Sequence, residues 1–489
     1  MTAPLPVSLQ RVNVRATTDA PRDTGADTIV IGLFEGKPIS HDVEDGALQA
    51  LVDSGEAKAG LRKLAVSHAA GRRWILVGLG NRDAFDAERA RVAAAVALGR
   101  AQELGTTSLC WEVPHRVGPD VVGALVEGTA LAAYRFDRYK SSNGDDGELR
   151  ELVVSAHEDF TDAVEQARIV AEAVNAARDL QNTPANDMTP SHLAERARAL
   201  AAELPLGVEV LGREGIEAAG MGALAAVARG SYEEPALITL RYEPESARGP
   251  VLGLVGKAVT FDTGGISIKP AMKMSAMKFD MSGGAAVLEA VGAIARLGLP
   301  IRVIGVVGAA ENMPSGRSMK PGDIVRARAG TTIEVINTDA EGRLVLSDCL
   351  THARENGAER LVDLATLTGG IVTTFGSVYA GVMSNDDAWC DEVTAAGGRT
   401  GERVWRLPLD PEYADAIKGR YADIVNAVED RKAQSITAAE FLHRFAGDTP
   451  WAHLDIAGVA DDNGRAYSPK GGSGFGVRLL VDLARAQSA

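Results

Sequence analysis

Cysteine is scarce in this chain. The 489 residues include three, Cys110, Cys349 and Cys390, far apart and without a CxxC pair. That fits a reducing compartment and gives no support for a thiolate zinc site. Basic charge is in deficit, with 51 Lys and Arg against 66 Asp and Glu and a net charge of −15, which argues against nucleic acid as the default partner. Residues 1–28 lack a basic start followed by an apolar core, so no secretory leader is expected. The uncharged run Leu364–Met383 holds four Gly and four Thr. A spanning helix would be more uniformly apolar, so this run is read as buried strand and loop, and no membrane partner is expected.

Familiar catalytic strings are also missing. Gly256-Lys257 has Val251 and Ala258 where a P-loop needs Gly and Ser or Thr. Gly78-Leu79-Gly80 reaches Asp83 in place of the third glycine of a dinucleotide fingerprint, and His157-Glu158 has Thr161 where a zincin needs its second histidine. No G-x-S-x-G occurs. The eight histidines are scattered singly and read as structural. The N-terminal third, with Asp83 and Asp86 near glycine turns, is expected to carry no chemistry.

What is present is an ordinary globular composition, 46% hydrophobic and 24% charged. The length suits two to four domains at roughly 100–200 residues each. Short β-rich runs (Thr28–Phe34, Trp74–Val77, Thr107–Val113, Leu149–Val154) alternate with helical patterns (Ala84–Leu104, Asp120–Ala133), which predicts an α/β layered domain with a largely parallel sheet. Phe160–Leu180 carries one apolar stripe and reads as a long helix stopping at Asn182-Thr183-Pro184. The rhythm then resumes, with strands over Gly207–Leu211, Ala236–Tyr242, Val251–Val255, Ile301–Val307, Thr332–Ile336 and Leu361–Leu364. Helices are expected over Ser191–Leu204, Gly284–Leu297 and Arg343–Glu355.

Against this background one set of charges stands out. Val251–Phe261 reads as a buried strand yet contains Lys257 and runs directly into Asp262; Lys269 and Asp280 follow. Buried charge is costly unless paired or bound to metal. The second piece, Asn337-Thr338-Asp339-Ala340-Glu341-Gly342-Arg343, follows the strand TIEVI; in an extended segment Asp339, Glu341 and Arg343 would share a face. Four carboxylates at neighbouring strand ends make an oxygen-rich site for hard or borderline divalent metals, at the edge where parallel sheets place ligands. The plain alternative is a set of salt bridges, Lys257 to Asp280 and Arg343 to Asp339.

NTDAEGRL (Asn337–Leu344) resembles the signature of the leucyl aminopeptidase family, the cytosolic two-metal aminopeptidases. GKAVTFDTGGISIKP (Gly256–Pro270) is similar to the family's other metal-binding stretch, and NTPANDMTP, DLATLTGG, WAHLDIAG and the GFGVRLL end also match. The match is dense from about residue 180 onward; the first 160 residues match only in the order of elements. Ala258 stands where Gly is usual, and Thr263 replaces a common Ser. The resemblance implies an α/β fold of two domains: a small N-terminal (macro-like) domain over 1–165, a linking helix and loop over 166–185, and a catalytic domain with a central mixed sheet over 186–489. It implies a cytoplasmic homohexamer acting on peptides.

By motif position, Lys257, Asp262, Asp280 and Glu341 would hold one metal, and Asp262, Asp339 and Glu341 the other, with Asp262 and Glu341 bridging. Lys269 and Arg343 would be catalytic without ligating, Arg343 holding bicarbonate. Thr366, Leu367 and Gly369 would contact the peptide backbone, while Met277, Ala457 and Ala460 would line the first side-chain pocket. The expected reaction is hydrolysis of the N-terminal peptide bond, with preference for Leu-like or other apolar first residues. The metal could be Mn²⁺ or Zn²⁺, with Mg²⁺ or Co²⁺ also compatible. Two alternatives use the same residues differently: a two-metal phosphoesterase, which would usually add histidine ligands, and an additional DNA-binding role, which the net charge disfavours.

Overall fold

The computed structural model describes residues 12–43, 45–141, 148–430 and 432–488. The opening segment read for a leader lies partly outside them. The chain forms two compact units, one of residues 12–175 with Gly464–Pro469, the other of Ala176–Asn463 with residues 470–488.

In the first unit six strands, β1 (Asn13–Thr17), β2 (Thr28–Phe34), β3 (Leu64–Ala69), β4 (Arg72–Gly80), β5 (Ser108–Glu112) and β6 (Glu151–Ser155), form one sheet in the order β1-β6-β5-β2-β4-β3. Every pairing is parallel except β3 with β4. Strands buried on both faces must be apolar at successive positions. In β2, accordingly, Val30 joins one core with Leu98, Trp111 and Leu125, while Ile29 and Ile31 join another with Leu48 and Leu76. The helix Ala87–Glu103 is started by Asp86, whose side chain accepts from Arg89 N. The sequence reading missed β1 and β3, which are short or only half-buried. A long helix, Thr161–Asn182, spans the change from one unit to the other.

The second unit is built on β7 (Gly207–Leu211), β8 (Ala236–Tyr242), β9 (Leu252–Asp262), β10 (Val303–Asn312), β13 (Arg360–Ala365), β14 (Ala380–Ser384), β15 (Val404–Arg406) and β17 (Trp451–Asp455); a small separate sheet joins β11 (Ile324–Arg326), β12 (Thr332–Glu334) and β16 (Ile424–Val425). The main sheet runs β15-β14-β17-β13-β9-β10-β8-β7. It is mixed, but its middle strands β17, β13, β9 and β10 are mutually parallel. The helix Ser282–Arg296, buried along nearly its whole length, packs on β9 and β13. Gly283 and Gly284 permit that approach: a Cβ on Gly283 would lie 2.0 Å from Leu364 O, and one on Gly284 2.6 Å from Ala258 Cβ. The run Leu364–Met383 is not only strand and loop; Gly369–Phe375 forms a helix started by Thr368, whose hydroxyl accepts from Ile371 N.

Among the described residues no helix is long and apolar enough to cross a membrane.

Candidate active site

The charged residues meet at the carboxyl edge of the four parallel strands. Asp262 ends β9, Asn312 ends β10, Thr366 follows β13 and Asp455 ends β17. Asn312 is the register partner of Asp262. Its Nδ2 donates to Asp262 Oδ1 at 2.8 Å and to Thr338 O at 3.0 Å. Gly264 N donates to the same Asp262 oxygen at 2.8 Å, leaving Oδ2 to Lys269 Nζ at 2.8 Å.

Gly264 and Gly265 both have positive φ, and a Cβ on Gly264 would meet Asp339 Oδ1 at 2.8 Å. Glycine is therefore required where this loop passes the second loop. Thr338 fastens the two together: its hydroxyl donates to Gly264 O at 2.6 Å and accepts from Ser267 N at 2.8 Å. Thr263, the departure from the usual Ser, donates to Asn312 O at 2.8 Å and accepts from Gly265 N.

Asp280 comes from the short 3-10 helix Met274–Met281. Its Oδ1 accepts from Thr366 Oγ1 at 2.7 Å and lies 2.8 Å from Lys257 Nζ. Lys257 Nζ also lies 2.9 Å from Glu341 Oε1 and donates to Thr366 O at 3.0 Å. Lys269 Nζ stands 2.5 Å from Asp339 Oδ1. One carboxylate oxygen from each of Asp262, Asp280 and Glu341 lies within 4.8 Å of the other two.

The segment Asn337–Arg343 is not extended as the sequence reading expected. Ala340 N donates to Asn337 O, Glu341 takes helical angles, and a helix starts at Gly342. Arg343 therefore sits on the first helical turn, and among the described residues no ion pair joins it to Asp339. The turn is held by Asn426, whose side chain accepts from Ile336 N at 2.8 Å and donates to Asn337 O at 2.7 Å. Gly342 leaves room for the lysine tip: a Cβ there would lie 2.7 Å from Lys257 Nζ.

Burial shapes the electrostatics. It pushes Glu341 well above the ordinary carboxylate value, and the Asp262 charge adds to this. It also raises Asp280, against the pull of Lys257. Burial also opposes the charge on Lys257 and Lys269, yet the surrounding carboxylates outweigh it and hold both above the ordinary lysine value. Burial draws Arg343 down to about 10 although Glu341 and Asp455 favour its charge, and its Nε is buried with no hydrogen-bond partner.

Two further atoms test whether metal fits. Asp280 Oδ2 and Glu341 Oε2 are buried without a partner, an arrangement that costs free energy unless a cation satisfies it. Carboxylate oxygens with one amine suit hard or borderline divalent ions.

The remaining sequence candidates divide. Thr366 touches the cluster directly. Leu367 N and Ala457 N both donate to Asp455 Oδ1, at 3.1 and 3.3 Å, and Thr368 Oγ1 donates to Asp455 Oδ2 at 2.6 Å. Gly369 opens the helix after that loop, Met277 lies on the 3-10 helix with Asp280, and Ala460 is buried, its carbonyl accepting from Ser473 N. A cavity of about 950 Å³ is lined by Phe261, Phe279 and Met313, sequence neighbours of Asp262, Asp280 and Asn312; none of Met277, Thr366, Leu367, Gly369, Ala457 and Ala460 is among its lining residues.

Asn312 and Asp455 were missed as site residues. Their signal lies in strand pairing, since Asn312 pairs with Asp262 and Asp455 with Ala365.

Carboxylates interleaved with two lysines, at the carboxyl edge of a mixed α/β sheet, make a cluster whose donors fit a divalent metal. The chain belongs to the cytosol aminopeptidase family: the profile of the family's catalytic domain matches residues 175–481 and that of its N-terminal domain residues 30–143. It is 44% identical over 485 residues to a probable cytosol aminopeptidase of Roseiflexus castenholzii, covering 97% of this chain and 99% of that one. It is 47% identical to one of Solibacter usitatus, covering 94% and 96%. Among solved structures it is similar to the bottromycin maturation enzyme BotP in complex with Mn, with a TM-score of 0.86, 36% identity and coverage of 95% of this chain and 100% of that one. The family makes the chain a peptidase, a metal-dependent aminopeptidase, and lends no support to the phosphoesterase or DNA-binding alternatives.

Proposed function

We propose that the chain removes single N-terminal residues from peptides at a two-metal site, with preference for Leu-like or other apolar first residues. The observation that carries this is the meeting of Asp262, Asp280, Asp339 and Glu341 with Lys257 and Lys269. Lys257, Asp262, Asp280 and Glu341 would hold one ion, and Asp262, Asp339 with its carbonyl, and Glu341 the other. When bound, the ions supply an activated water and a polarised scissile carbonyl, and bicarbonate supplies proton transfer. Mn²⁺ and Zn²⁺ both suit the donors, and Mg²⁺ or Co²⁺ remains compatible.

The chain's own residues do the rest. Lys269 stays protonated among its carboxylates and stabilises the oxyanion of the tetrahedral intermediate. Arg343 offers a buried guanidinium matched to the planar bicarbonate. Asp455 fixes the backbone at Leu367, Thr368 and Ala457, so that the loop carrying Thr366, Leu367 and Gly369 presents a rigid edge to the peptide. Met277, Ala457 and Ala460 form the first side-chain pocket.

The assembly is expected to be a cytoplasmic homohexamer, on the family resemblance. A panel of aminoacyl amides, assayed on metal-stripped protein with each metal restored in turn, tests the reading. No hydrolysis with any metal restored would reject it.

A further inference from the structure

Three of the eight histidines are not scattered in space. His41 lies in the loop after β2, His115 after β5 and His157 after β6. β6, β5 and β2 are adjacent and parallel, so all three loops leave the carboxyl edge of one sheet, where open α/β sheets bind ligands. The ring centroids are 5.2 Å apart for His41 and His115, 5.3 Å for His41 and His157, and 4.6 Å for His115 and His157. One ring nitrogen from each lies within 4.8 Å of the other two. The N-terminal third, expected to carry no chemistry, thus holds a group with metal-ligand spacing.

The His115 and His157 rings stack at 13° while His41 is tilted by 59° and 56° to them, and the surroundings also suit ligation. Glu112, the last residue of β5, bonds His41 Nδ1 at 2.6 Å, with its own side chain only 11% exposed. A carboxylate on Nδ1 fixes the tautomer and leaves Nε2 with its lone pair free, which is how proteins orient a metal-binding imidazole. The loop after His41 is anchored by Asp42, whose side chain accepts from Val43, Leu48 and Gln49 N. A cavity of about 900 Å³ adjoins the cluster, lined by His41, His157 and Glu112 among others.

We propose that His41, His115 and His157 form a separate site for one divalent transition-metal ion of the zinc class, bound through three imidazoles with a coordination position left for water or a small anion. Three nitrogens and an open position are a common zinc arrangement. Imidazole selects Zn²⁺ over Mn²⁺ or Mg²⁺, unlike the oxygen-rich cluster of the catalytic unit.

The test uses the full-length chain, stripped of metal, equilibrated with Zn²⁺ or Mn²⁺ alone and freed of excess before metal analysis. The wild type should retain one more equivalent of Zn²⁺ than of Mn²⁺. His115→Gln and His157→Gln should each lose that equivalent, while Mn²⁺ content, circular dichroism and peptide hydrolysis with Mn²⁺ stay unchanged. Glu112→Gln should weaken zinc retention at this site about 10–100-fold, the usual effect of removing a carboxylate behind a ligating histidine. Zinc-edge anomalous diffraction should place an ion between the three rings. Equal zinc content in the wild type and both histidine variants, or no anomalous peak there, would overturn the proposal.

Discussion

Lys257 Nζ lies 2.8 Å from Asp280 Oδ1, and both side chains are buried. The distance alone admits two roles for the lysine. With only the chain's own charges present, Asp280 and Glu341 hold it as an ammonium. A dication in the cluster reverses the sign of the local field and favours the neutral amine, which can ligate.

Lys269 and Arg343 are assigned no ligand role, so their loss should appear in turnover alone. Lys269→Ala and Arg343→Ala should each lower kcat by about 10²–10³, the scale of losing one group that stabilises developing charge. Metal content should equal the wild type. Metal analysis showing an emptied site in either variant would reverse this division of roles.

Asp455 accepts from Leu367 N, Thr368 Oγ1 and Ala457 N. Asp455→Ala removes both acceptor oxygens, so Leu367 N, Thr368 Oγ1 and Ala457 N all lose this partner. The expected cost is about 1–3 kcal/mol of stability, with a raised KM for peptides and unchanged metal content. Denaturation midpoints together with steady-state kinetics check it; an unchanged KM would detach this loop from substrate binding.

The first pocket should take medium apolar side chains, because Met277 is adaptable and Ala457 and Ala460 leave room. Leucyl and methionyl amides should be cleaved faster than aspartyl and arginyl amides. The reverse order would show that these three residues do not form the pocket and would move it to the cavity lined by Phe261, Phe279 and Met313.

Much of this was legible in the residues, and the exceptions share a cause. β2, β7 and β8 have the bounds their β-rich runs predict; in β2 and β8 burial dictates the composition directly. The charges at Lys257 and Asp262 could be seen because buried strands rarely carry them, and Glu341 through the motif NTDAEGRL. The turn at Asn337–Glu341 could not, because Asn426, almost ninety residues later, holds it. DLATLTGG and WAHLDIAG match the family as separate strings, yet they are register neighbours in which Asp363 receives both Trp451 Nε1 and His453 Nδ1. His41, His115 and His157 escaped notice for the same reason: strand order, not spacing along the chain, brings them together.

Substituting Gly342→Ala probes the same cluster from outside its ligand set. The new methyl group would stand 2.7 Å from Lys257 Cε and Nζ, closer than real Cβ contacts, while alanine suits a helix better than glycine does. The expected outcome is a folded chain with weakened metal binding, read as a higher chelator sensitivity. Chelator sensitivity equal to the wild type would mean that the lysine tip can move without consequence for the metal.

The most direct measurement is the metal stoichiometry and turnover of purified, folded Lys257→Arg. Lysine can ligate because it can lose its proton; arginine keeps its charge at any ordinary pH. If Lys257 is a ligand, the substitution places a permanent cation against the ion, and the variant should hold fewer than two metals per chain with turnover largely lost. Two metals per chain with near-normal turnover would contradict the account and leave Lys257 as the salt-bridge partner of Asp280.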